Sequence, residues 1–81
     1  MPKVGDAVEV EWLDAVCDND EKRMEEMSEP AKVKTVGVLL ALTAEYVRVA
    51  CEVLDHGRGD ITYRSTTTIP LATNVKVRRK A

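Results

Sequence analysis

The chain is poor in the residue types from which catalytic and metal sites are built. It has one histidine, His56, and two cysteines, Cys17 and Cys51, neither of which belongs to a C-x-x-C pair. A zinc site or a nucleophilic triad needs several such residues at defined spacings. The acidic residues that follow Asp18 also lack the central glycine and alternating ligands of a calcium loop. The composition therefore predicts a protein that is not an enzyme and that uses no metal or cofactor.

Aromatic residues and long apolar runs are equally scarce. The aromatic residues are Trp12, Tyr46 and Tyr63, and there is no phenylalanine. Proteins that bind single-stranded nucleic acid generally present several stacking platforms, so this shortage disfavours a broad RNA-binding surface. The longest apolar stretch, residues 36–42, is far shorter than the ~18 residues of a membrane-spanning helix. We expect no membrane partner and, since no signal peptide is recognisable, a cytoplasmic protein with reduced, partly buried thiols.

Length and charge distribution favour association. The 81 residues correspond to one domain near the small end of what folds unaided. A chain of this size buries only ~60% of its unfolded surface, so further copies would add stability. Residues 6–29 hold ten carboxylates and two bases, whereas residues 60–81 hold five bases and one acid. The basic end either binds phosphate or attracts the acidic end of a neighbouring strand or subunit.

The pattern of apolar residues predicts five strands. Val8, Val10 and Trp12 alternate with glutamates, the period of two of a half-buried strand. Four further β-rich stretches follow at residues 32–42, 45–54, 61–69 and 74–79, with one turn of 3-10 helix predicted over residues 70–73. Gly37 is expected to mark a sharp bend or a close backbone approach. Because five strands close into a barrel only if they bend, we predict a mainly all-β domain over residues 1–81, a strongly bent barrel of Sm-like or SH3-like type.

A polar insertion separates the first two strands. Residues 18–30 predict a helix of two to three turns, since Asp18 and Glu21 have the spacing of a capping box and Pro30 would end the helix. Met24 and Met27 would share one helical face. We expect these methionines to hold the helix against the rest of the domain.

The fourth strand carries candidate ligand-binding residues. Arg64, Ser65, Thr66 and Thr67 place a guanidinium and several hydroxyls on one strand that leads into a turn. Arginine binds phosphate bidentately, and hydroxyls bond phosphate or sugar oxygens. Threonine also favours strands and pairs across them, so a purely structural role stays open. Tyr46, opposite in phase to the valines of the third strand, is a better stacking candidate than Trp12, which suits the core or barrel rim.

Two motifs resemble those of the Sm-like family of small β-barrels (LSm and Hfq type). The first motif begins with a glycine in the second strand and an apolar residue two positions later, matched here by Gly37 and Leu39. It continues with a loop residue and a hydrophobic third strand, matched by Thr43 and residues 46–49. The second is a strand, a 3-10 turn and a final strand, matched by residues 63–70 and 74–77. The likeness covers residues 7–79 apart from the insertion. Residues 8–14 and 67–70 also resemble segments of small phage proteins of unsettled role.

The resemblance implies a ring in which the fourth strand of one subunit pairs with the fifth strand of the next. It further implies a phage-encoded, non-catalytic protein that binds RNA or a small nucleotide through the loops after strands two and four. The implied ligand-binding residues are Thr43, Tyr46, Arg64, Ser65, Thr66 and Thr67. Thr43 stands where an acidic residue is usual, and Glu45 where a stacking aromatic is usual. The alternative is a protein-interaction module that docks on a host or virion protein through the insertion.

Overall fold

The chain forms one antiparallel sheet of five strands. The structure, a computed structural model, describes residues 1–14, 21–27 and 29–80. Its strands are β1 Ala7–Asp14, β2 Ala31–Leu42, β3 Tyr46–Asp55, β4 Ile61–Pro70 and β5 Lys76–Arg79, and its 3-10 helices are η1 Met24–Glu26 and η2 Leu71–Thr73. The strand order is β4-β3-β2-β1-β5. The predicted strands and the 3-10 turn before the last strand are confirmed.

The sheet bends because β2 changes partner along its length. Up to Val38, β2 pairs with β1, and from Val38 to Leu42 it pairs with β3. The register with β3 shifts between Leu39 and Ala41, which marks a β-bulge and adds local twist. Gly37 lies beside this change of partner. A Cβ at Gly37 would overlap the carbonyl oxygen of Ala50, so this position requires glycine, as its place in the strand predicted.

The bend brings β1 against β3 and β4 and creates a small apolar core. The fully buried residues are all hydrophobic: Val8, Val10, Leu39, Val47, Val49, Ala50 and Ile69. Five partly buried residues pack around them, namely Trp12, Leu42, Leu71, Val75 and Val77. Burying a valine, leucine or isoleucine side chain contributes about 1.5–3 kcal/mol to the stability of the fold. The core therefore stabilises the middle of the sheet and little beyond it.

The sheet is not closed into a barrel. Over the described ranges, β4 pairs only with β3, and β5 pairs only with β1. Closure within one chain would require β4 and β5 to meet, but they lie at opposite edges and β5 spans only four residues. The prediction of a closed barrel is therefore wrong for the single chain. Both edge strands keep a row of backbone groups that form no ladder hydrogen bonds in the described part of the structure.

The far half of the β3–β4 hairpin extends away from the core. Past Ala50, β3 pairs only with β4, and we call residues 51–65 the β3–β4 arm. Val53, Ile61 and Tyr63 continue the inward phase of the core residues, yet they are 38–47% exposed. Cys51 is exposed as well, contrary to the expected partial burial. The radius of gyration is 16.0 Å, whereas a globular domain of this length has about 12 Å, so much of the chain lies away from the core.

The insertion contains a single 3-10 turn within residues 21–27. The carboxylate of Glu26 accepts a hydrogen bond from the backbone N–H of Arg23 at 3.4 Å. Met24 is 83% exposed and Met27 is 54% exposed, so they do not hold this segment against the sheet. Over these residues the prediction of a longer, anchored helix is wrong, because the methionines have no apolar surface opposite them. Asp18, the predicted capping residue, and Cys17 lie outside the described residues.

Neither 3-10 helix could cross a membrane, since each has three residues, and the described residues contain no longer helix.

Candidate functional site on the outer face of the sheet

The face of the sheet that turns away from the core carries compensated charges around β1. The ammonium nitrogen of Lys34 lies 3.9 Å from a carboxylate oxygen of Glu9 and 3.7 Å from one of Glu11. A guanidinium nitrogen of Arg78 lies 3.2 Å from Glu11. Exposed pairs of this kind contribute at most about 1 kcal/mol each. Around β1, therefore, the outer face is a mixed-charge network and not a continuous basic stripe.

Thr43 shapes the loop between β2 and β3. Its hydroxyl oxygen accepts hydrogen bonds from the backbone N–H groups of Glu45 and Tyr46, both at 3.1 Å. The hydroxyl also lies 3.3 Å from the carbonyl oxygen of Tyr46, to which it donates. A threonine hydroxyl that bonds nearby backbone groups stabilises a turn. The structure thus gives this predicted site residue a role in holding Tyr46 at the start of β3.

Tyr46 forms a small stacking surface with a residue that the sequence reasoning did not select. The guanidinium carbon of Arg48 lies 4.9 Å from the centroid of the Tyr46 ring. Its Nε donates a hydrogen bond to the hydroxyl of Thr68 at 3.0 Å, which fixes the guanidinium over the ring. An exposed cation–π contact of this kind is worth ~0.5–1 kcal/mol. A flat ring beside a positive charge suits a nucleobase and its phosphate.

A signal for Arg48 was present in the sequence. Residues two apart on a strand point to the same side of the sheet, so Arg48 shares the outer face with Tyr46. Thr68 lies directly opposite Arg48 in the β3–β4 register, and this pairing requires knowledge of the hairpin. Alternation alone therefore predicts that Tyr46 and Arg48 lie side by side, whereas the contact of Arg48 with Thr68 can be found only from the structure.

Arg64 is engaged in an ion pair in the β3–β4 arm. Its guanidinium nitrogen lies 2.9 Å from a carboxylate oxygen of Glu52, the residue opposite it in the ladder. Both side chains are at least half exposed, so the pair is screened by solvent and weak. The positive charge expected to attract phosphate is nevertheless compensated locally. The sequence did not show this partner because the pairing depends on the hairpin register.

The hydroxyl residues after Arg64 do not share one surface. Thr66 lies opposite Ala50 and Thr67 opposite Val49, both inside β4 and not in the loop after it. Successive strand residues point to opposite faces, so Thr67 is turned to the core side and Thr66 to the outer side. Ser65 has a φ of 55° and falls at a gap in the ladder between two paired positions. Its position marks a kink at the base of the arm.

The structure therefore does not bring all the predicted site residues together. Tyr46 lies opposite Pro70, and Arg64 precedes Pro70 by six positions in β4. At about 3.4 Å per residue this separation is roughly 20 Å. Thr43 and Tyr46 lie at one end of the hairpin, and Arg64 and Ser65 lie at the base of the arm. A mononucleotide could not contact both groups of one chain.

Asp6 fixes the start of β1 to the end of β5. Its carboxylate accepts a hydrogen bond from the backbone N–H of Lys3 at 2.8 Å and one from Arg79 Nε at 3.1 Å. The backbone hydrogen bond, followed by the charge of Arg79, holds the pKa of Asp6 below its ordinary value of 3.8. These contacts close the β1 side of the sheet and create no exposed reactive group.

A cleft of about 350 Å³ lies where the ends of β1 and β2 meet the start of β5. It is lined by residues of these three strands and of the turn before β5, namely Glu11, Trp12, Leu13, Lys32, Val33, Lys34, Asn74 and Lys76. The indole Nε1 of Trp12 donates a hydrogen bond to the hydroxyl of Thr35 at 3.0 Å. Trp12 is thus partly buried and packs against the core residues.

The described residues contain no cluster of three or more histidine, cysteine, aspartate or glutamate side chains placed to hold a metal ion. The fold and this surface define a small, antiparallel β-sheet protein whose two edge strands pair with no further strand among the described residues. No protein-family model, no curated protein and no solved structure matches this chain.

Proposed function

We propose that this chain is a non-catalytic, cytoplasmic, Sm-like protein that assembles into a ring and binds RNA or a small nucleotide. The observation that carries the proposal is the open sheet, with β4 at one edge and β5 at the other. An exposed edge strand is a template for pairing with another chain. Because the two free edges differ, β4 of one copy can pair with β5 of the next, and every edge is used when the ring closes.

The β3–β4 arm supports assembly independently of the backbone edges. Val53, Ile61 and Tyr63 leave an apolar stripe exposed on the same hairpin as the β4 edge. A two-stranded ribbon is marginally stable alone in water. A neighbouring subunit on this stripe would bury the apolar side chains and supply the support that the small core of one chain does not.

The ligand-binding part of the proposal centres on Tyr46 and Arg48. The stacked ring and guanidinium offer a platform for a base and a charge for a phosphate, and Thr68 adds a hydroxyl. A ring would repeat this platform once per subunit. The scarcity of other aromatic residues then matters less, because neighbouring copies supply further stacking positions.

Charge placed on the apolar stripe tests the assembly. We expect the double variant Ile61→Lys/Tyr63→Lys to be monomeric by light scattering, because a neighbouring subunit on the apolar stripe would have to bury two unpaired charges. Thr62→Lys carries a charge on the opposite face of the same strand and serves as the matched control. The control should keep the wild-type mass, and circular dichroism should show strand content in both variants. A wild-type protein that is already monomeric at micromolar concentration rules out the ring.

Retained nucleotide tests the ligand. Untagged protein should carry excess absorbance at 260 nm that is released on heating. The double variant Tyr46→Ala/Arg48→Gln should lose this material while keeping the oligomeric mass. If the variant retains the same material as the wild type, the Tyr46–Arg48 platform is not the binding site.

A second candidate function rests on the insertion. Met24 and Met27 are exposed apolar side chains next to acidic residues, which suits docking on a partner protein. This function predicts protein free of nucleotide and a specific partner in a pull-down. Replacing both methionines with glutamine should abolish the pull-down without changing the oligomeric mass.

A further inference from the structure

We infer that the Tyr46–Arg48 platform is one half of a nucleotide site, and that Lys76 and Arg78 of a neighbouring copy form the other half. In this composite site a base stacks on Tyr46, and its phosphate lies between Arg48 and the two cations of the neighbour. The inference deepens the proposed function. It rests on that function for the contact between β4 of one copy and β5 of the next, and for the class of ligand.

The platform contains a single cation. The outer-face residues of β4 beside it are Thr66, Thr68 and Pro70, which carry no charge. The hydroxyl oxygen of Thr68 accepts one hydrogen bond from Arg48 and has a second acceptor position. A phosphate monoester carries about −1.5 to −2 charges at pH 7, which one guanidinium does not balance. A nucleotide bound at the platform therefore needs further positive charge.

Strand β5 presents two cations on the outer face at the other edge of the sheet. Val77 packs against the core and lies opposite the buried Val10. Since side chains alternate along a strand, Lys76 and Arg78 point to the outer face, and both are exposed. Arg78 lies 3.2 Å from Glu11, but its side chain is 59% exposed, so this pair is screened and weak. In the part of the chain that the structure describes, Lys76 forms no ion pair.

These cations are too far from the platform of their own chain to share a ligand with it. Through Glu9 of β1, Arg78 is aligned with Val36 of β2, whereas Arg48 lies opposite Ala41 of the same strand. The five positions between Val36 and Ala41 correspond to roughly 17 Å along the strand. Strand β5 is also separated from β3 by two further strands. A mononucleotide therefore cannot bridge the two groups within one copy.

Pairing between copies places the cations on the same face as the platform. Ile69 of β4 is buried and Val77 of β5 is partly buried, so a sheet that continues from one copy to the next must keep both on the core side. With Val77 beside Ile69, the residues before and after it lie beside the outer-face residues of β4. This holds whichever way β5 runs, because Lys76 and Arg78 flank Val77 symmetrically.

The neighbour's cations then face the platform across β4. Thr68 lies opposite Arg48, and Pro70 lies opposite Tyr46. Strands in a sheet are ~4.8 Å apart, so two spacings, about 10 Å, separate the backbone of the platform from that of the cations. Lysine and arginine side chains are long enough to meet around one phosphate in this gap, and the Thr68 hydroxyl lies between them. The site is thus complete only where two copies meet.

Binding of adenosine diphosphate, measured by titration calorimetry, tests the contribution of the cations. We expect the double variant Lys76→Gln/Arg78→Gln to bind about tenfold more weakly than the wild type, because charge-assisted hydrogen bonds to phosphate are lost. Its oligomeric mass should not change, since both side chains point away from the core side of the contact. Lys32→Gln/Lys34→Gln is the matched control, because it removes two cations of the same face from β2, and it should bind like the wild type.

A mixture of two defective variants tests whether the site is shared between copies. One variant is Lys76→Gln/Arg78→Gln, and the other is Tyr46→Ala/Arg48→Gln. When both are co-expressed in equal amounts and assemble at random, about one quarter of the contacts in a cyclic ring join an intact platform to intact cations. These contacts should bind adenosine diphosphate with wild-type affinity, although neither variant does so alone.

Mixed rings without high-affinity sites overturn the inference, because the site would then not be shared between copies. If the cation variant binds like the wild type, the inference is overturned but the platform and the proposed function stand. A cation variant that is monomeric overturns it in favour of a role in assembly. Wild-type protein that forms a ring and binds no adenosine diphosphate overturns the inference and leaves the ring, whereas monomeric wild-type protein overturns both.

Discussion

The two halves of the β3–β4 hairpin share one pairing register and differ in what lies across from them. Near the loop after β2, Val47, Val49 and Ile69 are buried beneath β1 and β2. In the β3–β4 arm, Val53 and Tyr63 have the same phase, but no described element covers them. The difference arises because β2 leaves β3 at its bend. Alternation in a strand therefore predicts which side chains share a face and not whether that face meets a core.

The largest expected effect is the loss of stability on replacing Gly37, which lies beside the core, compared with the loss on replacing Gly57 in the β3–β4 arm. Gly37→Ala forces a Cβ into the carbonyl oxygen of Ala50 and within 2.8 Å of a Val49 methyl group. Overpacking of this kind costs ~1–3 kcal/mol and more when backbone must move, so we expect a loss of about 3 kcal/mol in denaturant-induced unfolding. Gly57→Ala, with open space around it but a φ of 88°, should cost only ~1–2 kcal/mol. Equal losses would show that β2 does not cross β3 this closely.

The next prediction compares the same substitution in both halves of β3. Val49→Ala removes two buried methyl groups and should lower the free energy of unfolding by ~2 kcal/mol. Val53→Ala, at a side chain 47% exposed, should cost less than about 0.5 kcal/mol in dilute, monomeric protein. Urea titrations at two protein concentrations measure both values. A cost at Val53 that grows with concentration would show directly that another copy covers the arm.

A smaller effect is expected at the kink between the two halves. Ser65 has a φ of 55°, a left-handed conformation that costs ~1–2 kcal/mol for a residue with a Cβ. Ser65→Gly removes this cost, but glycine also raises the conformational entropy of the unfolded chain, which lowers stability. We therefore expect the free energy of unfolding to increase by only ~0.5–1 kcal/mol. Ser65→Ala keeps the Cβ and should be close to neutral. Thermal unfolding compares the stability of the two variants. A glycine variant that is less stable than the alanine variant would contradict the left-handed backbone conformation at Ser65.

The smallest effect concerns the carboxylate that joins both ends of the sheet. The pKa of Asp6 is lowered in the folded chain, so the native state binds fewer protons at this group than the unfolded state does. Its contribution to stability is therefore complete well above pH 3.8 and is lost as the pH falls through the folded pKa. The difference in melting temperature between wild type and Asp6→Asn should shrink as the pH is lowered from 6 towards 3. A difference that does not change with pH would exclude a contribution from the Asp6 charge.

The sequence predicted the sheet better than the site for a physical reason. Apolar alternation and Gly37 depend on local geometry, and both strands and the close approach were found where they were expected. The ion pair of Arg64 with Glu52 and the contact of Arg48 with Thr68 depend on the hairpin register, which single-strand patterns do not contain. The failure of the sheet to close has the same origin, since it depends on where β2 exchanges one partner for another.

Native mass spectrometry of the untagged protein tests the central claim most directly, namely that the two open edges of the sheet join copies into a ring. We expect one dominant species at a whole-number multiple of the 9.0 kDa chain, three or more copies in size. A 9.0 kDa monomer at micromolar concentration, or an unbounded ladder of masses without a preferred size, would contradict it.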